Sequence, residues 1–161
     1  RKIELPADYV LEEGKGITLK DGDDALLFAY GPVMLHEALT ASEILREYGF
    51  NLQVVNMPWL NRINTDWLVK VASEHMFIYV LEDHSTFGGL GDSLFYELQR
   101  NMNLTGTKFT KIGLDEYPEC GTPPEVLKYH RLDGLSLAER ISGIKFTEKK
   151  ALVGYTDDAP Q

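Results

Sequence analysis

The chain has 161 residues, of which 43% are hydrophobic and 25% are charged, as is typical of one compact globular domain that needs no disulfide or metal to fold. Its 16 Lys and Arg against 25 Asp and Glu give a formal net charge of −9. A net negative charge repels phosphate backbones and anionic lipids, so we expect neither nucleic-acid nor membrane binding. The single cysteine, Cys120, excludes an internal disulfide and favours a reducing compartment, which predicts a cytoplasmic protein.

Both ends of the chain are predicted to lie outside the domain. Residues 1–16 mix proline, glycines and charges without a hydrophobic period, which is typical of a linker. Because the chain begins at Arg1 and not at a methionine, we expect this linker to arrive from an upstream domain. Residues 17–145 are predicted to form the domain, and the polar residues 146–161 a loosely packed tail.

Strands are predicted where short apolar runs are bounded by turn residues. In chain order they span 17–19, 25–30, 52–56, 76–81 and 108–112. The second and fourth runs are continuously apolar, as in strands that are covered on both faces.

Helical spacing follows the second strand. The first helix is predicted to begin at Pro32 and to end before Gly49. Its buried stripe is predicted at Leu35, Ala38, Ala41, Leu45 and Tyr48.

Four more helices are predicted further along the chain. Asp66 caps the second, while Thr122–Glu125 and Ser136–Glu139 match the capping box and open the last two. Predicted buried residues are Leu68, Val71 and Ala72 on the second helix, Phe95, Leu98 and Met102 on the third, and Leu137, Ile141 and Ile144 on the fifth. Because strands and helices alternate, we expect a three-layer α/β/α sandwich with about five strands.

The turn at residues 88–91 is rich in glycine and lies between a buried strand and a helix. Free amides and the helix dipole suit an anion at such a position. A dinucleotide fingerprint needs a third glycine where Leu94 stands, so the motif is incomplete. Two interpretations remain: close helix-to-sheet packing, or contact with an anion or a partner through the residues His84, Gly88, Gly89 and Gly91.

Glu82, Asp83 and His84 follow the fourth strand, at the end where open α/β sheets place ligands. An imidazole beside carboxylates suits acid–base chemistry, although an exposed loop or a subunit contact explains the same residues. The remaining histidines (36, 75 and 130) show no metal-ligand spacing, and acids beside Cys120 disfavour a reactive thiol. The aromatic residues Trp59, Trp67 and Phe87 are predicted either as exposed anchors for another chain or as packing residues.

Four segments in register resemble the C-terminal domain of the transketolase family of thiamine-diphosphate enzymes. The strongest is YVLEDHSTFGGLG at residues 79–91, since the family runs a valine-rich strand into two acids, histidine and Gly-Gly-x-Gly. The other segments span 21–31, 38–56 and 112–135. The resemblance covers roughly residues 14–145.

This resemblance implies a five-stranded mixed sheet with one antiparallel edge strand. It also implies a parent enzyme, a homodimer, that transfers two-carbon ketol units or decarboxylates 2-oxoacids on thiamine diphosphate and Mg²⁺, bound between two upstream domains. The family's Gly-Asp-Gly cofactor motif is absent from the chain. We therefore expect no catalytic, cofactor-binding or metal-binding residue here, and a role in dimer assembly or regulation with the upstream domains or subunit as partner. The isolated chain is expected to be inactive.

Two alternatives stay open at this point. The chain could be the C-terminal domain of a 2-oxoacid dehydrogenase beta subunit, or a stand-alone regulatory module that binds small anions at the glycine-rich turn. An independent flavodoxin-like or dehydrogenase enzyme is disfavoured, because Pro32 removes an N–H where a phosphate would bind.

Overall fold

The computed structural model describes residues 3–146, which form five strands and five helices in the predicted order. The strands are β1 (Ile17–Lys20), β2 (Ala25–Ala29), β3 (Leu52–Asn56), β4 (Phe77–Ser85) and β5 (Lys108–Leu114). The helices are α1 (Pro32–Glu47), α2 (Thr65–Ala72), α3 (Leu90–Asn101), α4 (Pro123–Tyr129) and α5 (Gly134–Ser142). None of these helices is long and apolar enough to cross a membrane.

The strands form one mixed sheet in the order β1-β3-β2-β4-β5. Strand β1 runs antiparallel to β3, and every other pair is parallel. The predicted five-stranded sheet with one antiparallel edge is therefore confirmed. Because the chain moves from β2 outward to β3 and then back to β4, the order reverses between β2 and β4, and a crevice opens there at the carboxyl ends of the strands.

Helices cover both faces of the sheet, which confirms the three layers. Alternate residues of β2 point to opposite faces, as the pleat requires. Leu27 packs with α1, α4 and α5 on one face, while Leu26 and Phe28 pack with α2 and α3 on the other.

The predicted buried stripes are correct for most of their residues and wrong at Tyr48, Phe95 and Ile144, which are exposed. On α1, Leu35, Ala38, Ala41 and Leu45 are buried, but Tyr48 is exposed because α1 ends before it. On α3 the buried residues are Leu90, Leu94 and Leu98. The ring of Phe95 packs against the ring of Phe109, and the side chain stays partly exposed. Ile144 is exposed because it lies beyond the end of α5.

Two of the predicted helix caps are wrong. Asn64 caps α2 by accepting a hydrogen bond from the Trp67 amide at 3.0 Å, so Asp66 lies within the first turn. Asp133 caps α5 in the same way, from the Ser136 amide at 3.1 Å. At α4 the prediction holds, since the Thr122 amide donates to the Glu125 carboxylate at 2.9 Å.

Replacing Asn64 by alanine is expected to lower the free energy of unfolding by about 1 kcal/mol, because the Trp67 amide loses its acceptor. Asn64→Asp keeps a side-chain acceptor and is the matched control, with little expected change. Urea denaturation measures both. A larger loss for Asp66→Ala than for Asn64→Ala would contradict the assigned cap.

The segment before β1 is irregular and lies against the loop before α2. Trp59 Nε1 donates to the carbonyl of Glu12 at 2.7 Å, and the Asn64 amide donates to the carbonyl of Gly14 at 2.9 Å. The assignment of residues 1–16 as a linker stays a prediction. Phe146, the first residue of the predicted tail, is buried against Tyr48, and the rest of that tail lies outside the described residues.

Candidate functional site

Strand β4 carries the acidic cluster and extends to Ser85, four residues beyond its predicted end. It lies between β2 and β5, and because helices cover both faces of the sheet its side chains are buried from Ile78 to Glu82. The Glu82 side chain is 0% exposed. A carboxylate removed from water in this way is costly unless donors replace its hydration.

The donors come from the glycine-rich turn and the start of α3. The amides of Leu90 and Gly91 donate to the two carboxylate oxygens of Glu82 at 2.9 and 3.1 Å. Nε2 of His84 lies 3.4 Å from Glu82 Oε2. Both the amide hydrogen bonds and the helix dipole favour a negative charge here. The amides that the sequence offers to an external anion are therefore occupied by a carboxylate of the chain itself.

Glycines at 89 and 91 make this close approach sterically allowed. A Cβ on Gly89 would overlap the Glu82 carboxylate oxygen and lie 2.8 Å from its Cδ. A Cβ on Gly91 would lie 2.7 Å from the Lys111 side chain and 2.9 Å from Glu82 Oε1. The helix start can thus reach the buried carboxylate only with a bare backbone at both positions.

Asp92 fixes the outer side of the same turn. Its carboxylate accepts from the Gly88 amide at 2.6 Å and from Lys111 Nζ at 2.5 Å. The hydrogen bond from Lys111, followed by that from Gly88, lowers the pKa of Asp92. The turn is therefore held by Glu82 beneath it and by Asp92 outside it.

Phe87 stands at the tip of this turn and is 86% exposed. Its amide donates to Ser85 Oγ at 3.2 Å, and Lys111 Nζ lies 5.9 Å from its ring centroid. Of the other two predicted anchors, Trp67 packs edge-on against Phe28 and Trp59 is partly buried. Only Phe87 among these three aromatics presents a whole ring to solvent from a fixed backbone.

Tyr30 and Asp83 meet at the crevice between β2 and β4. The Tyr30 hydroxyl donates to Asp83 Oδ1 at 3.4 Å. Burial, followed by the charges of Asp83 and Glu82, raises the pKa of Tyr30 well above its ordinary value. Tyr30 therefore stays a protonated donor at physiological pH.

His84 links the strand to the turn. Its Nδ1 lies 2.8 Å from the carbonyl of Ser85, and its Nε2 faces Glu82. Since both ring nitrogens already face acceptors within the chain, this geometry is that of a structural link. Contact of His84, Gly88, Gly89 and Gly91 with an external anion or partner stays a prediction.

The other candidate residues are scattered. His75 is buried between the carbonyls of Val71 and Gly22, His130 accepts from the Glu119 amide, and Cys120 is an exposed free thiol. Within residues 3–146, no three His, Cys, Asp or Glu side chains are grouped so that they could hold a metal ion.

The family described as the C-terminal domain of transketolase matches residues 14–136. The chain belongs to this family. A putative transketolase C-terminal section from Methanocaldococcus jannaschii is 37% identical over 135 residues, covering 83% of this chain and 41% of that protein. A 1-deoxy-D-xylulose-5-phosphate synthase from Picosynechococcus is 31% identical over 138 residues, covering 86% of this chain and 21% of that protein.

Solved structures of transketolases share the architecture of this transketolase C-terminal domain. A split-gene transketolase, solved as an inactive beta4 tetramer, aligns with a TM-score of 0.77 and 26% identity, over 89% of this chain and 46% of that one. The transketolase of Campylobacter jejuni aligns with a TM-score of 0.60 over 88% of this chain and 20% of that one, and at 16% identity it shows the fold alone.

The group that the family resemblance implies, thiamine diphosphate with Mg²⁺, does not fit the described residues of the transketolase C-terminal domain. The α3 amides that could hold a diphosphate are bound to Glu82. No group of acidic or histidine ligands within residues 3–146 offers a place for the metal ion. No catalytic step is therefore assigned to these residues.

Proposed function

We propose that this chain is the non-catalytic assembly domain of a transketolase-like enzyme that transfers two-carbon ketol units on thiamine diphosphate. The observation that carries the proposal is the pairing of Glu82 with the amides of Leu90 and Gly91. It gives a structural purpose within the domain to the segment by which the chain most resembles the family. The coenzyme and its metal ion then belong to neighbouring domains or a neighbouring subunit.

The lengths of the relatives support the placement of the coenzyme outside this domain. The chain spans 41% of the Methanocaldococcus protein and 21% of the cyanobacterial synthase, so most of each relative lies outside this domain. The split-gene transketolase chain, of which this chain covers 46%, is described as inactive in its beta4 form. In this proposal, residues 1–16 connect the domain to the part of the enzyme that holds the coenzyme. The whole enzyme is then a homodimer in the cytoplasm.

Phe87 is the proposed contact with that neighbour. An aromatic ring that is exposed and held by a fixed backbone loses little entropy on docking, which is the usual property of an interface anchor. The cation of Lys111 beside the ring adds a polar rim. His84, Gly88, Gly89 and Gly91 would contribute to the same surface by shaping the turn.

The alternatives are supported less well. The relatives are named as transketolases and a 1-deoxy-D-xylulose-5-phosphate synthase, which favours ketol chemistry over a 2-oxoacid dehydrogenase beta subunit. A regulatory anion site at the glycine-rich turn would have to displace the buried Glu82 carboxylate from two amides, which leaves that charge without donors.

Turnover assays test the proposal directly. The 161-residue chain alone, given thiamine diphosphate, Mg²⁺, a ketose phosphate donor and an aldose acceptor, is expected to show no ketol transfer. Adding the separately expressed coenzyme-binding segments of the same enzyme is expected to restore transfer and a defined complex by light scattering. Phe87→Ala should weaken that complex, with Tyr117→Ala as an equally exposed aromatic control. Turnover by the chain alone would overturn the proposal.

A further inference from the structure

Residues 8–16, which we call the fastened segment, are held against the loop before α2 and do not run free into β1. The carbonyl of Glu12 accepts a hydrogen bond from Trp59 Nε1 at 2.7 Å. The carbonyl of Gly14 accepts one from the Asn64 amide at 2.9 Å. A flexible linker is held only at its two ends, whereas this segment is also held between them and reaches β1 along a fixed path.

Two glycines allow the segment to lie this close to the loop. Gly14 has φ 75°, and a Cβ on it would lie 2.7 Å from the Asn64 amide nitrogen. A Cβ on Gly16 would lie 2.7 Å from the carbonyl oxygen of Asn56 and 2.8 Å from the Trp67 ring. The glycines that are typical of a flexible linker in the sequence therefore serve close packing in the structure.

The fastened segment carries two adjacent aliphatic side chains in solvent. Val10 is 73% exposed and Leu11 is 56% exposed, which makes them the two most exposed of the valine, leucine and isoleucine side chains within residues 3–146. Single exposed apolar residues are ordinary. Two neighbours beside a held backbone form a patch that loses little entropy when a partner covers it.

The charges beside this patch indicate the chemistry of the partner. A cavity of about 330 Å³ lies between the fastened segment and the start of β1, and its apolar walls include Val10 and Ile17. Its charged walls are the carboxylates of Asp8 and Glu12 and the ammonium of Lys15. Because Lys15 Nζ already lies 2.6 Å from Glu12, one carboxylate is in excess. The surface therefore suits apolar side chains that have a basic neighbour.

The fastened segment and Phe87 lie on the same rim of the sheet. Ile17 opposes Asn56 at the carboxyl end of β3, and Phe87 follows the carboxyl end of β4. Only β2 separates these two strands, so their axes are about 10 Å apart. The loop that holds the segment and the first turn of α3 also line one cavity, through Asn61 and Asp92. A single neighbour can therefore cover both surfaces.

We propose that the fastened segment is a docking surface for the coenzyme-binding part of the enzyme. That part covers Val10 and Leu11 with apolar side chains and pairs a basic side chain with Asp8. The inference rests on the proposed function, which places the coenzyme-binding part beside residues 1–16. Because the segment is held before docking, the contact also fixes the orientation of that part relative to the sheet, and it adds a second contact to the one proposed at Phe87.

Calorimetric titration of the 161-residue chain with the separately expressed coenzyme-binding segments tests the proposal. Val10→Asp is expected to weaken the complex about tenfold or more, because a carboxylate must then lose its hydration against apolar side chains. The melting temperature of this variant should not change, since Val10 is exposed. Ile144→Asp is the matched control, because Ile144 is also an exposed β-branched residue but lies beyond the end of α5. Its affinity should equal that of the parent chain.

A second variant, Trp59→Phe, tests the fastening itself. It keeps an aromatic ring but removes the donor to the Glu12 carbonyl, so the segment should loosen. The Asn64 amide, which donates to Gly14, should then exchange its hydrogen faster. The affinity for the coenzyme-binding segments should fall as well, because docking must now order the segment.

The possible outcomes separate this inference from the proposed function. A complex that is weakened by Phe87→Ala but not by Val10→Asp would overturn this inference and leave the proposed function standing. Equal losses of affinity in Val10→Asp and Ile144→Asp would overturn the location of the surface. Unchanged hydrogen exchange at Asn64, or an unchanged affinity, in Trp59→Phe would overturn the role of the fastening. If no complex forms with the parent chain, the proposed function is wrong and this inference with it.

Discussion

Replacing Gly89 by alanine is expected to lower the free energy of unfolding by about 3–5 kcal/mol, the range measured when a buried charge loses its partners. The added Cβ would overlap the Glu82 carboxylate and push α3 away from it. Glu82 is 0% exposed, so water cannot easily replace the lost amides. Chemical denaturation followed by circular dichroism measures the loss.

Gly121→Ala is the matched control for this prediction. A Cβ at Gly121 would meet its nearest neighbour, Glu125 Oε2, at 3.4 Å, which is ordinary van der Waals contact. We expect its free energy of unfolding to change by less than about 1 kcal/mol, the size of the chain-entropy effect of adding a Cβ. Equal losses of unfolding free energy in Gly89→Ala and Gly121→Ala would show that a glycine at 89 is not required for α3 to approach Glu82.

Replacing Leu45 by alanine is expected to cost about 2–5 kcal/mol of unfolding free energy, because the cavity left behind cannot collapse fully. Leu45 is 0% exposed on the face of α1 that packs on the sheet, together with Leu27 and Leu52. Urea denaturation with a fixed m-value gives the loss directly.

Leu11→Ala removes the same atoms from an exposed position in the segment before β1. Its expected cost lies within about 0.5 kcal/mol, as for other surface substitutions. A loss of that small size for Leu45→Ala would contradict the orientation of α1.

The strands could be predicted because their signal is local. The runs that became β2 and β3 are apolar and bounded by turn residues, and the predicted limits agree with the observed ones to within one residue. The helix caps were harder, because more than one polar residue near each start can accept a hydrogen bond. Asn64 and Asp66 are both suitable by type, and only the path of the chain decides that Asn64 meets the Trp67 amide.

The burial of Glu82 within β4 could not be predicted, for a different reason. A charged residue after an apolar run normally marks the end of a strand, since carboxylates are seldom buried. Its donors lie eight and nine residues later and reach it only once the glycine-rich turn has folded over β4. The useful signal was the combination of an acid at the end of a buried strand with two glycines at the start of the following helix.

The central claim is that the amides of the glycine-rich turn bind the Glu82 carboxylate and serve the structure of the domain, and that the coenzyme is held elsewhere. Nitrogen–proton NMR spectra of the chain, recorded during titration with thiamine diphosphate and Mg²⁺, test it at the relevant atoms. The amide signals of Leu90 and Gly91 are predicted to stay unchanged, because both N–H groups already donate to Glu82. A saturable shift of these two signals would contradict the claim.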